Sequence, residues 1–151
     1  MKFEKLKKQD TETVAKIIDK YWKERGFDYS MGYIKEYLKV GHRKEIIEDS
    51  FFVLKENDKV LGNISIIIVD DKLAELRDFV VKEEYRGKGY GKEIIKNVLD
   101  FCKKNNIRKV IAISFPEYLE FFKKFGFQQE GYLKDHFFDG EDMLFLSLIL
   151  R

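Results

Sequence analysis

One stretch constrains this chain more than any other: Arg86-Gly87-Lys88-Gly89-Tyr90-Gly91-Lys92. It follows an apolar run over 76–81 and opens an amphipathic run over 94–102, so it reads as strand, tight glycine-rich turn, helix. Three glycines at alternate positions remove three Cβ atoms, which lets the backbone take strained angles and approach a ligand closely. The helix that follows leaves its first N–H groups unpaired and carries partial positive charge at that end. Successive amides at such a turn make an anion cradle. Arg86, Lys88 and Lys92 add positive charge around it. The residues alone point to a phosphate or pyrophosphate site.

Spacing narrows the ligand. A P-loop needs GxxxxGK followed by Ser or Thr, and a dinucleotide fingerprint needs GxGxxG. The stretch has neither, since the sixth residue counted from Gly87 is Lys92. It does fit Arg, two residues of any kind, Gly, one of any kind, Gly, with Arg86, Gly89 and Gly91. Preceded by Asp78-Phe79-Val80-Val81-Lys82-Glu83-Glu84-Tyr85, it resembles the strand-to-helix signature of the GNAT superfamily of N-acetyltransferases. In that family the motif binds the pyrophosphate of acetyl-coenzyme A. The resemblance implies that the amides of Gly87, Lys88, Gly89, Tyr90, Gly91 and Lys92, with Arg86, hold that pyrophosphate. It also implies that strand 73–81 splays from its neighbour. The backbone of Phe79, Val80 and Val81 would then pair with the pantetheine arm.

The rest of the chain agrees with one α/β domain over residues 1–151, a length that allows a full core, with 14 Phe to fill it. Basic residues exceed acidic ones by only 29 − 27 = 2, which makes no electrostatic case for nucleic-acid binding. One cysteine allows no intrachain disulfide and suits a reducing compartment. The first six residues lack the apolar core of a signal peptide, and no apolar stretch is long enough to span a bilayer. These features lead to the expectation of a soluble cytoplasmic protein with no membrane partner. Neither His42 nor His136 has a partner at metal-ligand spacing, so no metal is expected.

In chain order, 3–6 suggests a short strand, and Asp10 an N-cap for a helix over 11–25. A second helix is expected at 33–38. A hairpin pairs 50–55 with 59–69 around Glu56-Asn57-Asp58, and 73–81 is the next strand. After the glycine turn, apolar residues at 94, 95, 98, 99 and 102 predict a helix to 105, followed by a strand at 110–114. Pro116 opens a helix over 117–125 that Gly126 ends. Strands are expected at 131–138 and 143–150. The family's fold is implied over the whole chain: a mixed, mostly antiparallel sheet of about seven strands flanked by about four helices. The segment 26–49, with Phe27, Tyr29, Met31, Tyr33, Tyr37 and His42, falls where family members line the acceptor cleft. These aromatics serve either as substrate walls or as packing.

The resemblance implies acetyl transfer from acetyl-coenzyme A, as co-substrate, to an amine. Such transfer needs the donor held, the amine deprotonated and the leaving thiolate stabilised. Glu75 falls where histone-type members carry their catalytic glutamate, and Asp78 where many members carry an acid. Three residues apart, they face opposite sides of a regular strand, so only a bulge would let both face the substrate. Family members usually carry a tyrosine acid four residues before the Gly of Gly-Phe, where this chain has Phe122. Their coenzyme-contacting asparagine is Phe115 here, and Tyr118, one turn before Phe122, is a replacement donor or a packing ring. A small amine, a polyamine and a peptide or protein amine all stay open as acceptors, and so does a homodimer. Two rival readings are a coenzyme-binding regulator without catalysis and a nucleotide or other phosphate binder unrelated to coenzyme A.

Overall fold

The computed structural model describes residues 6–24, 26–38, 48–70 and 72–150. The chain divides into two compact units, 1–46 and 47–151. In the first, a 3-10 turn (Lys8–Asp10) runs into α1 (Thr11–Lys23), and α2 (Met31–Leu38) follows. Asp10 sits at the expected cap position, but its side chain makes no capping bond because the 3-10 turn feeds directly into the helix. Ser30 caps the start of α2, its Oγ accepting from the Tyr33 amide at 3.2 Å. Tyr29 stacks on Tyr33 at 4.8 Å and meets Trp22 edge-on at 5.2 Å. Phe27 is exposed. His42, the Tyr37 side chain and most of the expected strand at 3–6 lie outside the described residues.

The second unit is built on a six-stranded sheet among the described residues: β1 (Glu48–Glu56), β2 (Lys59–Asp70), β3 (Leu73–Val81), β4 (Lys109–Ser114), β5 (Gln128–Leu133) and β6 (Met143–Ile149). Their spatial order is β1-β2-β3-β4-β6-β5. Only β3 and β4 run parallel, and the other neighbours are antiparallel. The β1–β2 loop is two residues, Asn57 and Asp58, both at positive φ, the twist that matches a tight hairpin. Between β3 and β4 lies α3 (Tyr90–Lys104), which buries Ile94, Ile95, Val98 and Cys102. These join Ile64, Ile66, Leu76, Val110, Ala112, Phe122, Phe127 and Leu146 in one core. Burying each Val, Leu, Ile or Phe of this core contributes about 1.5–3 kcal/mol.

Two expected elements differ in the structure. The helix opened by Pro116 begins as a 3-10 turn (Pro116–Tyr118) and only then becomes α4 (Leu119–Lys123). The strand expected at 131–138 is β5, shifted toward the N-terminus. It begins where Gln128 finds Ser147 on β6 and stops at Leu133. Asp135 then takes φ +47 and turns the chain into a loop.

Candidate active site

The cleft is created by two strands that part. β3 and β4 pair from Leu73↔Lys109 to Leu76↔Ala112 and no further. Beyond that point Ile113 and Ser114 pair with Phe145 and Leu144 of β6. β3 bends away at a β-bulge: Asn63 opposes Val80 and Ser65 opposes Arg77, so Asp78 and Phe79 share the place opposite Ile64. Asp78 carries the kink at φ +51, a conformation that Asp tolerates better than most residues. Its carbonyl, freed from the ladder, accepts a bond from Asn63 Nδ2 at 2.7 Å. The space between the parted strands is a cleft of about 950 Å³.

One end of this cleft meets the glycine turn. Gly87 and Gly89 stand at φ +75 and +90, in the left-handed region that a side chain would strain. Gly89 is the N-cap of α3, and no side chain caps the helix's first amides. Gly91 lies against the cleft's aromatic wall, where a Cβ would meet Phe79 at 3.4 Å and Phe121 at 3.5 Å in ordinary contact. Arg86 Nε donates to the Val81 carbonyl at 3.0 Å, tying the turn to the end of β3. Arg86 and Lys92 both line the cleft, as do Gly87, Gly89 and Gly91. Lys88 and Tyr90 are outside the lining. The Lys88 ammonium sits 5.6 Å from the centre of the Tyr85 ring, and Tyr90 meets that ring edge-on at 6.2 Å.

Along the β3 wall come Glu75, Arg77, Asp78, Phe79, Val80 and Val81. The bulge changes the alternation that the sequence implied. Ala74 and Leu76 face the core before it, and Phe79 and Val81 pack on the core after it. Glu75 and Asp78 therefore both line the cleft. The Glu75 side chain is 14% exposed and is held by Arg77, whose Nε donates to Oε1 at 2.7 Å. Facing β3 across the cleft are Ser114, Phe115, Tyr118, Phe121 and Phe122. Phe122 is buried, edge-on to Phe79 at 6.1 Å and to Phe127 at 5.3 Å, so the expected tyrosine position is filled by a core ring. Tyr118 is half exposed, with Phe115 edge-on at 6.4 Å.

Sequence reasoning did not single out Ser114, Phe121 or Asn63. Phe121 stacks on Phe79 at 5.7 Å, and Asn63 holds the bulge, pairings that join residues distant in sequence. His136 and Phe137 reach the cleft from the β5–β6 loop. That loop is buckled by Asp142, whose carboxylate accepts from the Tyr132 hydroxyl and, at 3.0 Å, from the Asp135 amide. These bonds hold the Asp142 carboxyl below its ordinary value and push the Tyr132 hydroxyl up. Among the described residues, no group of three His, Cys, Asp or Glu stands close enough to hold a metal ion. No helix of the described residues is long and apolar enough to cross a membrane.

Known proteins resemble this chain in sequence and in fold. The sequence model of the acetyltransferase (GNAT) family matches residues 12–127. A Bacillus subtilis protein with the provisional name ribosomal protein bS18-alanine N-acetyltransferase is 28% identical over 114 residues, 71% of this chain and 75% of that one. The spermidine N(1)-acetyltransferase of Vibrio cholerae is 26% identical over 124 residues, 78% of this chain and 70% of that one. Among solved structures, a GNAT family acetyltransferase from Elizabethkingia anophelis with acetyl-CoA bound superposes with a TM-score of 0.63. It is 19% identical, and the match covers 74% of this chain and 81% of that one. With the family's sequence model matched over most of its length and the family's fold in its sheet, the chain belongs to the GNAT family of acetyltransferases.

Proposed function

We propose that this chain, as a single domain over residues 1–151, moves the acetyl group of acetyl-CoA directly to a primary amine in a ternary complex. The observation that carries the reading is the parting of β3 and β4 into a cleft that ends on the uncapped start of α3. Pantetheine is an extended chain with amides, and the parted β3 offers it unpaired backbone. Pyrophosphate is an anion, and the α3 start offers amides, Arg86 and Lys92. Acetyl-CoA bound in the Elizabethkingia anophelis acetyltransferase supports this choice of donor.

In this reading the amine attacks the thioester at the bulge. A backbone N–H of Phe79 or Val80 polarises the carbonyl. Glu75, held by Arg77, takes the surplus proton, directly or through water, with Asp78 as the other carboxylate in reach of the cleft. The relatives' names both describe acetylation of an amine. Arg77 is ion-paired with Glu75 and Asp78 adds a second carboxylate, so the β3 wall suits a cationic amine, whether a small molecule, a polyamine or a peptide or protein amine. Acetyl-CoA supply and the lone cysteine fit work in the cytoplasm.

Phe122 motivates a second reading, a member that binds the coenzyme without turning it over. Acetyl transfer to any amine would exclude it. The first test is calorimetric titration with acetyl-CoA, with coenzyme A and ATP as controls, on the wild type and Gly89→Glu. The substitution forces a side chain onto φ +90 and adds negative charge at the start of α3. Micromolar binding of acetyl-CoA, weakened at least tenfold in the variant and absent for ATP, is the expected result. Wild-type protein that ignores both coenzymes would overturn the reading.

A further inference from the structure

The β4 wall of the cleft is mostly hydrocarbon and aromatic: Ala112, Ile113, Phe121, Phe122 and Met143 line it. Ser114 stands among them and is only 7% exposed. A hydroxyl buried so deeply costs free energy unless it is hydrogen-bonded. The other buried serines obey that rule. Ser147 donates to Glu130 at 2.6 Å, and Ser65 also has a polar or electrostatic contact. Ser114 Oγ has only the carbonyl of Phe115, the next residue, at 3.4 Å, well outside the 2.5–3.0 Å of a sound O–H···O bond. No other bond of this hydroxyl is found among the described residues.

Its place explains what it waits for. β4 alternates, with Val110, Ala112 and Ser114 on its buried side. The first two face the core where β3 and β4 are paired, and Ser114 comes two residues after the last pair. Ser114 therefore stands on that buried side beside the gap that opens after the last pair, and it lines the cleft. A hydroxyl proton rotates freely, so it can turn from the Phe115 carbonyl toward a ligand atom in the gap.

We propose that the Ser114 hydroxyl donates a hydrogen bond to the sulfur of the coenzyme and stabilises it as a leaving thiolate. The inference rests on the coenzyme reading above and adds the group that serves the sulfur where Phe122 has no proton to give. In the step, the amine nitrogen bonds to the acetyl carbon and the carbon–sulfur bond breaks with its electron pair going to sulfur. The amine's surplus proton passes to carboxylate or water. Ser114 keeps its own proton, because an alcohol is far less acidic than a thiol of pKa about 8.5. The thiolate is later protonated from solvent. A donor in a dry wall is worth more to a developing anion than one in water, which favours Ser114 over the half-exposed Tyr118.

The experiment follows the ionisation of bound coenzyme A itself, by thiolate absorbance against pH, and needs no acceptor. The charged groups of the cleft, Glu75, Asp78, Arg77, Arg86, Lys92 and His136, act on the sulfur equally in wild type and variants. The wild-type midpoint should lie below that of free coenzyme A. Ser114→Ala should raise it by about one pH unit, while affinity for the protonated thiol at pH 6 changes less than about threefold. Ser114→Thr, which keeps the hydroxyl, should titrate near the wild type, and Tyr118→Phe should leave the midpoint in place. A midpoint unmoved by Ser114→Ala, or moved by Tyr118→Phe instead, overturns the proposal while leaving coenzyme binding intact. Failure of the wild type to bind coenzyme A overturns the coenzyme reading first, and this inference with it.

Discussion

Gly62 leaves no room for a methyl group. A Cβ there would lie 2.6 Å from the Val80 carbonyl oxygen, 2.9 Å from Ile94 Cδ1 and 3.2 Å from Val81 Cα. Two of these atoms belong to the β3 segment that borders the cleft, so the residue sets how closely β2 and α3 back that wall. Gly62→Ala should destabilise the protein by about 2–3 kcal/mol in urea unfolding, as overpacking against backbone does. It should also weaken coenzyme affinity, because β3 is pushed into the gap. Asn63→Ala, which removes the 2.7 Å bond to the Asp78 carbonyl, should cost about 1 kcal/mol by the same measurement. The glycine turn and Arg86 could be read from sequence because their constraint is local. The bulge could not, since Asp78 at φ +51 is imposed by pairing with β2, fifteen positions earlier in sequence at its Asn63 contact. Ser114 was silent for a similar reason: only the end of the β3–β4 pairing gives its hydroxyl a meaning.

At the scale of elements, the parting of β3 and β4 is balanced by tight fastening on the other side of β4. Lys109 on β4 reaches Glu130 on β5 with Nζ 2.9 Å from Oε2, and Ser147 on β6 donates to the same carboxylate. Three strands are thus stapled by one side chain at the β5 bulge between Gln129 and Gly131. The Ser147 hydroxyl, then Lys109, hold the Glu130 carboxyl below its ordinary 4.5. A carboxyl whose folded value is depressed adds stability that is complete above that ordinary value and is lost as pH falls through the lowered one. Unfolding free energy should therefore drop as the buffer is taken from pH 5 toward about pH 3, and Glu130→Gln should flatten that acid limb. Urea titrations of both proteins across this range decide it. Elements with strong local period, such as α3, β2 and β3, matched the sequence closely. β5 did not. Its ends depend on which β6 residues it meets and on Asp142 reaching back to Tyr132 and Asp135, contacts that no local pattern encodes.

On the scale of the second unit, Cys102 reports on the whole core. It is fully buried under α3, and burial pushes its thiol up to about 11. Near pH 8 it should not react with a disulfide reagent while the unit is folded, and its labelling rate should follow the unfolding equilibrium as urea is added. Rapid labelling of native protein would mean that α3 opens from the sheet on its own. The order of strands also governs how this unit is born. β6, latest in sequence of the six, lies between β4 and β5 and pairs with both. Until residues 143–149 join the sheet, β5 lacks the strand it pairs with and β4 shows an open edge. A slot stands between β4 and β5 until β6 fills it, and Met143 of that strand then joins the cleft lining. An open strand edge of this kind is a template for pairing with another chain, so this slot is where a partly folded chain is most open to misassembly.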